Sequence, residues 1–96
     1  MKIHEFKETD TDAAIRYMIL KSILEKGVYT VEFKKVNGDL RKMPCTLKDG
    51  FVPLRDSELI KSTPFDPETM PVWCMDKQAW RSFKTMNVIS VEEYHE

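Results

Sequence analysis

Three glycines in 96 residues, Gly27, Gly38 and Gly50, stand far apart, and each marks the end of a patterned run. Glycines placed in this way exclude a phosphate-cradling loop, which needs several in one short segment. The two histidines, His4 and His95, lie near the two ends of the chain, and the two cysteines, Cys45 and Cys74, fall in separate apolar runs. No C-x-x-C or H-x-x-x-H spacing gathers four ligands, so a structural zinc site is not expected. The same scarcity argues against a Cys–His nucleophilic pair, and Ser57, Ser62 and Ser82 have no local partner motif. No catalytic residue, metal or cofactor is therefore expected.

Charge of one sign is also missing. Fifteen basic residues face sixteen acidic ones, a formal net charge of −1. Bulk attraction to a polyanion or an acidic membrane is absent, and any such binding must come from a local patch. No apolar run approaches the roughly 18–20 residues that cross a bilayer. The opening MKIHEFKETD carries acids and no hydrophobic core, which predicts no export leader and places both cysteines as reduced, buried thiols in the cytoplasm. The acid pairs Asp10/Asp12, Asp66/Glu68 and Glu92/Glu93 read as caps and solvated segments.

What is present is patterned. Val28–Leu47, VYTVEFKKVNGDLRKMPCTL, holds two alternating runs around Asn37-Gly38-Asp39 and reads as a long β-hairpin. Tyr29, Val31 and Phe33 share one face, and Met43, Cys45 and Leu47 are the inward set of the second arm. A two-residue turn would oppose the two apolar sets across the sheet. A three-residue turn or a bulge keeps them together, with Phe33 expected opposite Met43. Pro44 offers no ladder proton, so its side of the strand is expected to be free or bent.

Before the hairpin, Thr9–Asp12 supplies candidate N-caps, and Ile15, Met18, Ile19 and Ile23 recur at helical spacing. Leu20 and Leu24 widen that stripe, Arg16, Lys21 and Glu25 take the polar side, and Gly27 is placed as a left-handed cap. The helix is expected over about 11–26. After the hairpin come a short strand near Gly50–Leu54, an irregular proline-rich loop over about 55–71, and strands at Val72–Asp76, Trp80–Lys84 and Val88–Val91.

One domain, 1–96, of class α+β and mainly β, accounts for this order. It is an N-terminal helix followed by a five-stranded, strongly bent antiparallel barrel of the Sm-like/SH3-like type over about 28–91.

The phrases FKKVNGDLRKMPCT and VWCMDKQAWRSFKTMNVISV carry a family likeness. An aromatic strand and basic pair precede a glycine turn. Arg41 and a Met43-x-Cys45-Thr46 step follow, and a Trp80-Arg81-Ser82-Phe83 strand leads to a valine-rich last strand. In these features the chain resembles the WYL-like group of small phage proteins with an Sm-like SH3 β-barrel, over roughly Val28–Val91 outside the proline-rich loop. The resemblance implies that fold and a phage origin, hence the host cytoplasm. Larger WYL-containing regulators sense ligands or nucleic acid through this barrel, although this chain lacks a Trp-Tyr-Leu tripeptide.

Two uses suit such a barrel. Lys34, Lys35, Arg41 and Lys42 near the hairpin tip, with Trp80, Arg81 and Lys84 on a later strand, suit RNA or single-stranded DNA, where bases stack on rings beside cations. The rings available are Trp73, Trp80, Tyr29 and Phe83. The competing role for these residues is ordinary: solvated lysines and core rings. Alternatively, Leu59, Ile60 and Phe65 in the proline-stiffened loop, or a strand edge, suit a grip on a host protein.

Overall fold

The computed structural model describes residues 2–7, 9–48, 50–52 and 66–94. Its elements are β1 (Lys2–Glu5), α1 (Ala13–Leu24), β2 (Tyr29–Lys34), β3 (Leu40–Thr46), β4 (Thr69–Cys74), β5 (Ala79–Lys84), a 3₁₀ turn at Thr85–Asn87, and β6 (Val88–Glu93). The strands form one antiparallel sheet in the order β1-β6-β2-β3-β4-β5. Among the described residues six strands therefore replace the expected five, and no ladder joins the two edges β1 and β5. The extra strand is β1, whose mixed charge hides the signal because β6 supplies its pairing from the far end of the chain. Residues 50–52 form a turn and a single bridge rather than a strand, and the expected loop 55–71 lies outside the described residues up to position 65.

The hairpin closes on Val36-Asn37-Gly38, a three-residue turn in which Lys35 N–H donates to Asp39 O at 2.7 Å and Gly38 N–H to Lys35 O at 2.9 Å. Gly38 sits at φ 96°, the left-handed position such a loop needs, where a side chain would be strained. The turn length is the expected one, but the pairing differs by two residues: Phe33 opposes Arg41, Val31 opposes Met43 and Tyr29 opposes Cys45. A shift of two keeps the side-chain parity, so the apolar faces still coincide.

The seam between β3 and β4 is short. It holds only Cys45↔Cys74 and Thr46↔Trp73, whereas β2–β3 and β4–β5 each hold six pairs. Two prolines bracket it. At one end Met75 N–H donates to Pro44 O at 2.9 Å, and Pro44 has no proton to return. At the other end strand alternation turns the Pro71 nitrogen toward β3 as well, where it also donates nothing. Both prolines thus face this internal seam and leave the outer edges of β1 and β5 unobstructed.

The helix starts at Asp12, whose carboxylate accepts from Ala14 N at 3.0 Å and Ile15 N at 3.3 Å. Its packing face is rotated from the expected one. Arg16, Leu20 and Leu24 are buried at i, i+4 and i+8, while Ile15 and Met18 are 55% and 69% exposed. Ile19 and Ile23 flank the true stripe, partly buried against a core of Phe6, Val31, Met43, Met70, Val72, Phe83, Val88 and Val91. Arg16 was expected outside because it is charged. Its guanidinium instead donates to the carbonyls of Lys7, Asp10, Thr85 and Val88, and lies 4.9 Å from the Phe6 ring. Those acceptors satisfy a buried cation without a carboxylate. The helix seals the curled sheet rather than presenting its main stripe outward.

The helix end also departs from expectation, since Gly27 is not in the left-handed region. The terminal carbonyls are satisfied from β3 instead. Leu47 N–H donates to Leu24 O at 3.0 Å, and the Thr46 hydroxyl reaches Gly27 O at 2.7 Å and Leu24 O at 3.2 Å. Thr46 is fully buried and its Oγ1 also accepts from Lys48 N at 3.0 Å. Thr46→Val keeps the shape and removes all three bonds. Urea unfolding of that variant is expected to show a loss of about 1–3 kcal/mol with an unchanged slope.

Candidate nucleic-acid interface

A flat sheet would separate β2 from β5, three strands away, by about 14 Å. Yet the rings of Phe33 on β2 and Phe83 on β5 stack at 5.6 Å between centroids with planes 30° apart. The sheet is therefore curled until two non-neighbouring strands meet, and these rings join its concave surface at that lip. Phe83 is buried and Phe33 is half-buried, so one ring is held and the other reaches solvent.

Two arginines border the stack on the same face. Arg41 is the direct cross-strand partner of Phe33, and half-buried. Arg81 lies two residues before Phe83 on β5, opposite the buried Val72, and is exposed because β5 is an edge. Lys34 and Lys84 directly follow the two rings and edge the lip from the convex side, while Lys35 opens the hairpin turn; all three are exposed. Among the described residues none of Lys34, Lys35, Arg41, Arg81 and Lys84 has a carboxylate within ion-pair distance.

The remaining expected residues go elsewhere. Lys42 lies on the convex face and pairs with Glu92 at 3.6 Å, beside Glu32 and Thr30. Its charge is matched there, so it adds no net attraction for an anion. Trp80 also faces away from the arginines. It pairs with Trp73 across β4–β5, edge to face at 5.7 Å, on the convex side. The Trp80 indole nitrogen is buried with no hydrogen-bond partner among the described residues. Strand alternation places Trp80 and Arg81 on opposite faces by necessity. Phe33 was missed as a site residue because alternation marks it as core. Its shared face with Arg41 was the available signal, since parity survives the two-residue error in register; that error hid only their direct cross-strand pairing.

Leu59, Ile60 and Phe65 lie outside the described residues, as does His95. Among the described residues no three His, Cys, Asp or Glu side chains are placed to share a metal ion. His4 packs edge-on against Phe6 at 4.5 Å, in a groove of about 350 Å³ between β1 and the start of α1. No helix among the described residues is long and apolar enough to cross a membrane.

One helix laid across a strongly bent antiparallel sheet is the architecture of the Sm-like small β-barrels. The chain belongs to the WYL_2 family, described as an Sm-like SH3 beta-barrel fold, whose model matches residues 14–89. It is also similar to an uncharacterized 11.5 kDa protein from the Gp31-cd intergenic region of Enterobacteria phage T4. The two are 38% identical over 85 residues, spanning 86% of this chain and 82% of the phage protein. No solved structure matches the chain. The resemblance drawn from the hairpin and the Trp-Arg-Ser-Phe strand is thus the family itself, and the chain is related to a small phage protein.

Proposed function

We propose that this chain is a phage-encoded, non-catalytic binding protein of the host cytoplasm that holds single-stranded RNA or DNA across the Phe33–Phe83 lip. The observation that carries the reading is the pairing of a partly open aromatic stack with Arg41 and Arg81 on one concave face. A base stacks on the exposed side of Phe33 while the two guanidinium groups take the flanking phosphates. Lys34, Lys35 and Lys84 extend the positive field along the strand's path, and their lack of carboxylate partners among the described residues supports this role. Contacts of this kind favour single strands over duplexes, whose bases are already stacked.

The test is fluorescence anisotropy with a labelled single-stranded oligonucleotide over a range of salt. The wild-type protein is expected to bind at low salt and to weaken linearly in log–log form. The Arg41→Ala/Arg81→Ala variant is expected to bind at least about tenfold more weakly. It should also lose about 1.4 from the salt slope, roughly 0.7 per single-strand phosphate contact. Lys42→Ala should bind as wild type. A double variant indistinguishable from wild type sinks the proposal.

A further inference from the structure

We propose that Cys45 and Cys74 are a redox modification site, a dithiol that closes to a disulfide across the β3–β4 seam. The two cysteines are direct cross-strand partners, both free and both fully buried. The hydrogen bond from Met75 N–H to Pro44 O makes residues 44 and 75 a hydrogen-bonded pair. Strand alternation then makes Cys45 and Cys74 a non-hydrogen-bonded pair, the kind whose α-carbons lie about 4.5 Å apart with side chains close together. That spacing falls inside the range of about 4.4–6.8 Å that disulfides span. Both side chains point into the same concave core, so no strand has to turn over for the sulfurs to meet.

The position of the pair matters as much as its geometry. The sheet consists of two well-paired leaves, β1-β6-β2-β3 and β4-β5, joined by a ladder of two residue pairs that proline interrupts at both ends. A covalent bond at the weakest joint fixes one leaf to the other. Burial pushes the Cys45 thiol well above its ordinary range, and Cys74 beside it pushes in the same direction, so Cys45 holds little thiolate in the closed sheet. Exchange therefore waits on opening of the seam, which the two prolines make the least costly place for the sheet to part.

The oxidant is a disulfide, either a small-molecule one or that of a dithiol oxidoreductase. One cysteine sulfur attacks it, forming a mixed disulfide and releasing the first reagent thiol. The second cysteine then displaces the reagent sulfur, forming the Cys45–Cys74 bond and releasing the second thiol. Two electrons and the two thiol protons leave with the reagent. The inference does not depend on nucleic-acid binding.

The experiment refolds the full chain in buffers of graded reduced-to-oxidised glutathione, so that burial does not block access. Samples are then unfolded, alkylated and weighed intact. The wild-type protein is expected to lose two hydrogen atoms and accept no alkyl group at the oxidising end. Its folding equilibrium should rise about a hundredfold over the reduced form. Cys74→Ala should yield only a mixed disulfide under the same buffers. Recovery of two alkylatable thiols at every ratio, of mixed disulfides alone, or of an oxidised form less stable than the reduced one, overturns the proposal.

Discussion

Arg16→Ala is expected to remove about 3–5 kcal/mol of stability, since each buried acceptor left without a donor costs about 1–3 kcal/mol. The guanidinium is 4% exposed and supplies protons to carbonyls from three places: Lys7 and Asp10 before the helix, Thr85 in the 3₁₀ turn, and Val88 at the start of β6. Alanine leaves those buried acceptors unpaired and opens a cavity beside Phe6 at the same time. For a domain of this size, whose total stability is about 5–15 kcal/mol, that loss approaches unfolding. Lysine restores the charge but not the fork, so Arg16→Lys should fall between the two. Denaturant unfolding decides the matter: a loss under about 1 kcal/mol for alanine would mean that the carbonyls find other donors.

Phe83→Ala is expected to cost about 3–5 kcal/mol as well, for a different reason. Phe83 is buried and stacks on Phe33, so its ring is what β5 and β2 share across the curl of the sheet. The short β3–β4 seam cannot hold β5 against β2 alone, since it contributes two residue pairs. Phe33→Ala removes the half-exposed partner and should cost roughly half as much. The ratio is the diagnostic, measured by thermal or chemical unfolding of both variants. Equal small losses would show that the curl is maintained without the stack.

The sequence displayed some of this plainly and hid the rest. Alternation across Tyr29–Phe33 and Met43–Cys45 identified the hairpin arms and their inner faces, because period-two patterning survives an error in register by two. Helical spacing found α1 but turned it the wrong way. Apolar Ile15 and Met18 outvoted Arg16, and nothing in a linear reading reports the distant Thr85 and Val88 carbonyls waiting for a guanidinium. Strand β1 was only a stray extended piece, since Lys2, His4 and Glu5 pair with residues about ninety positions away.

The candidate site was half legible. Arg41, Arg81, Lys34, Lys35 and Lys84 were chosen for charge, and the fold sets all five about one lip. Lys42 and Trp80 went with them in the sequence but not in space, the first matched by Glu92 and the second turned to the convex face by alternation. Phe33 emerged only once the curl brought β2 to β5. Contacts between strands three apart in a sheet leave no periodic mark in a chain.

In the proposed function the concave lip, and not the tryptophan face, takes the nucleic acid. Its most direct test is amide chemical-shift mapping of the full chain titrated with a single-stranded oligonucleotide. The expected result is a contiguous set of perturbations at Phe33–Lys35, Arg41 and Arg81–Lys84, with Trp73 and Glu92 still. Perturbations centred on Trp73 and Glu92 with a silent Arg41, or none at low salt, would rule out binding at the lip.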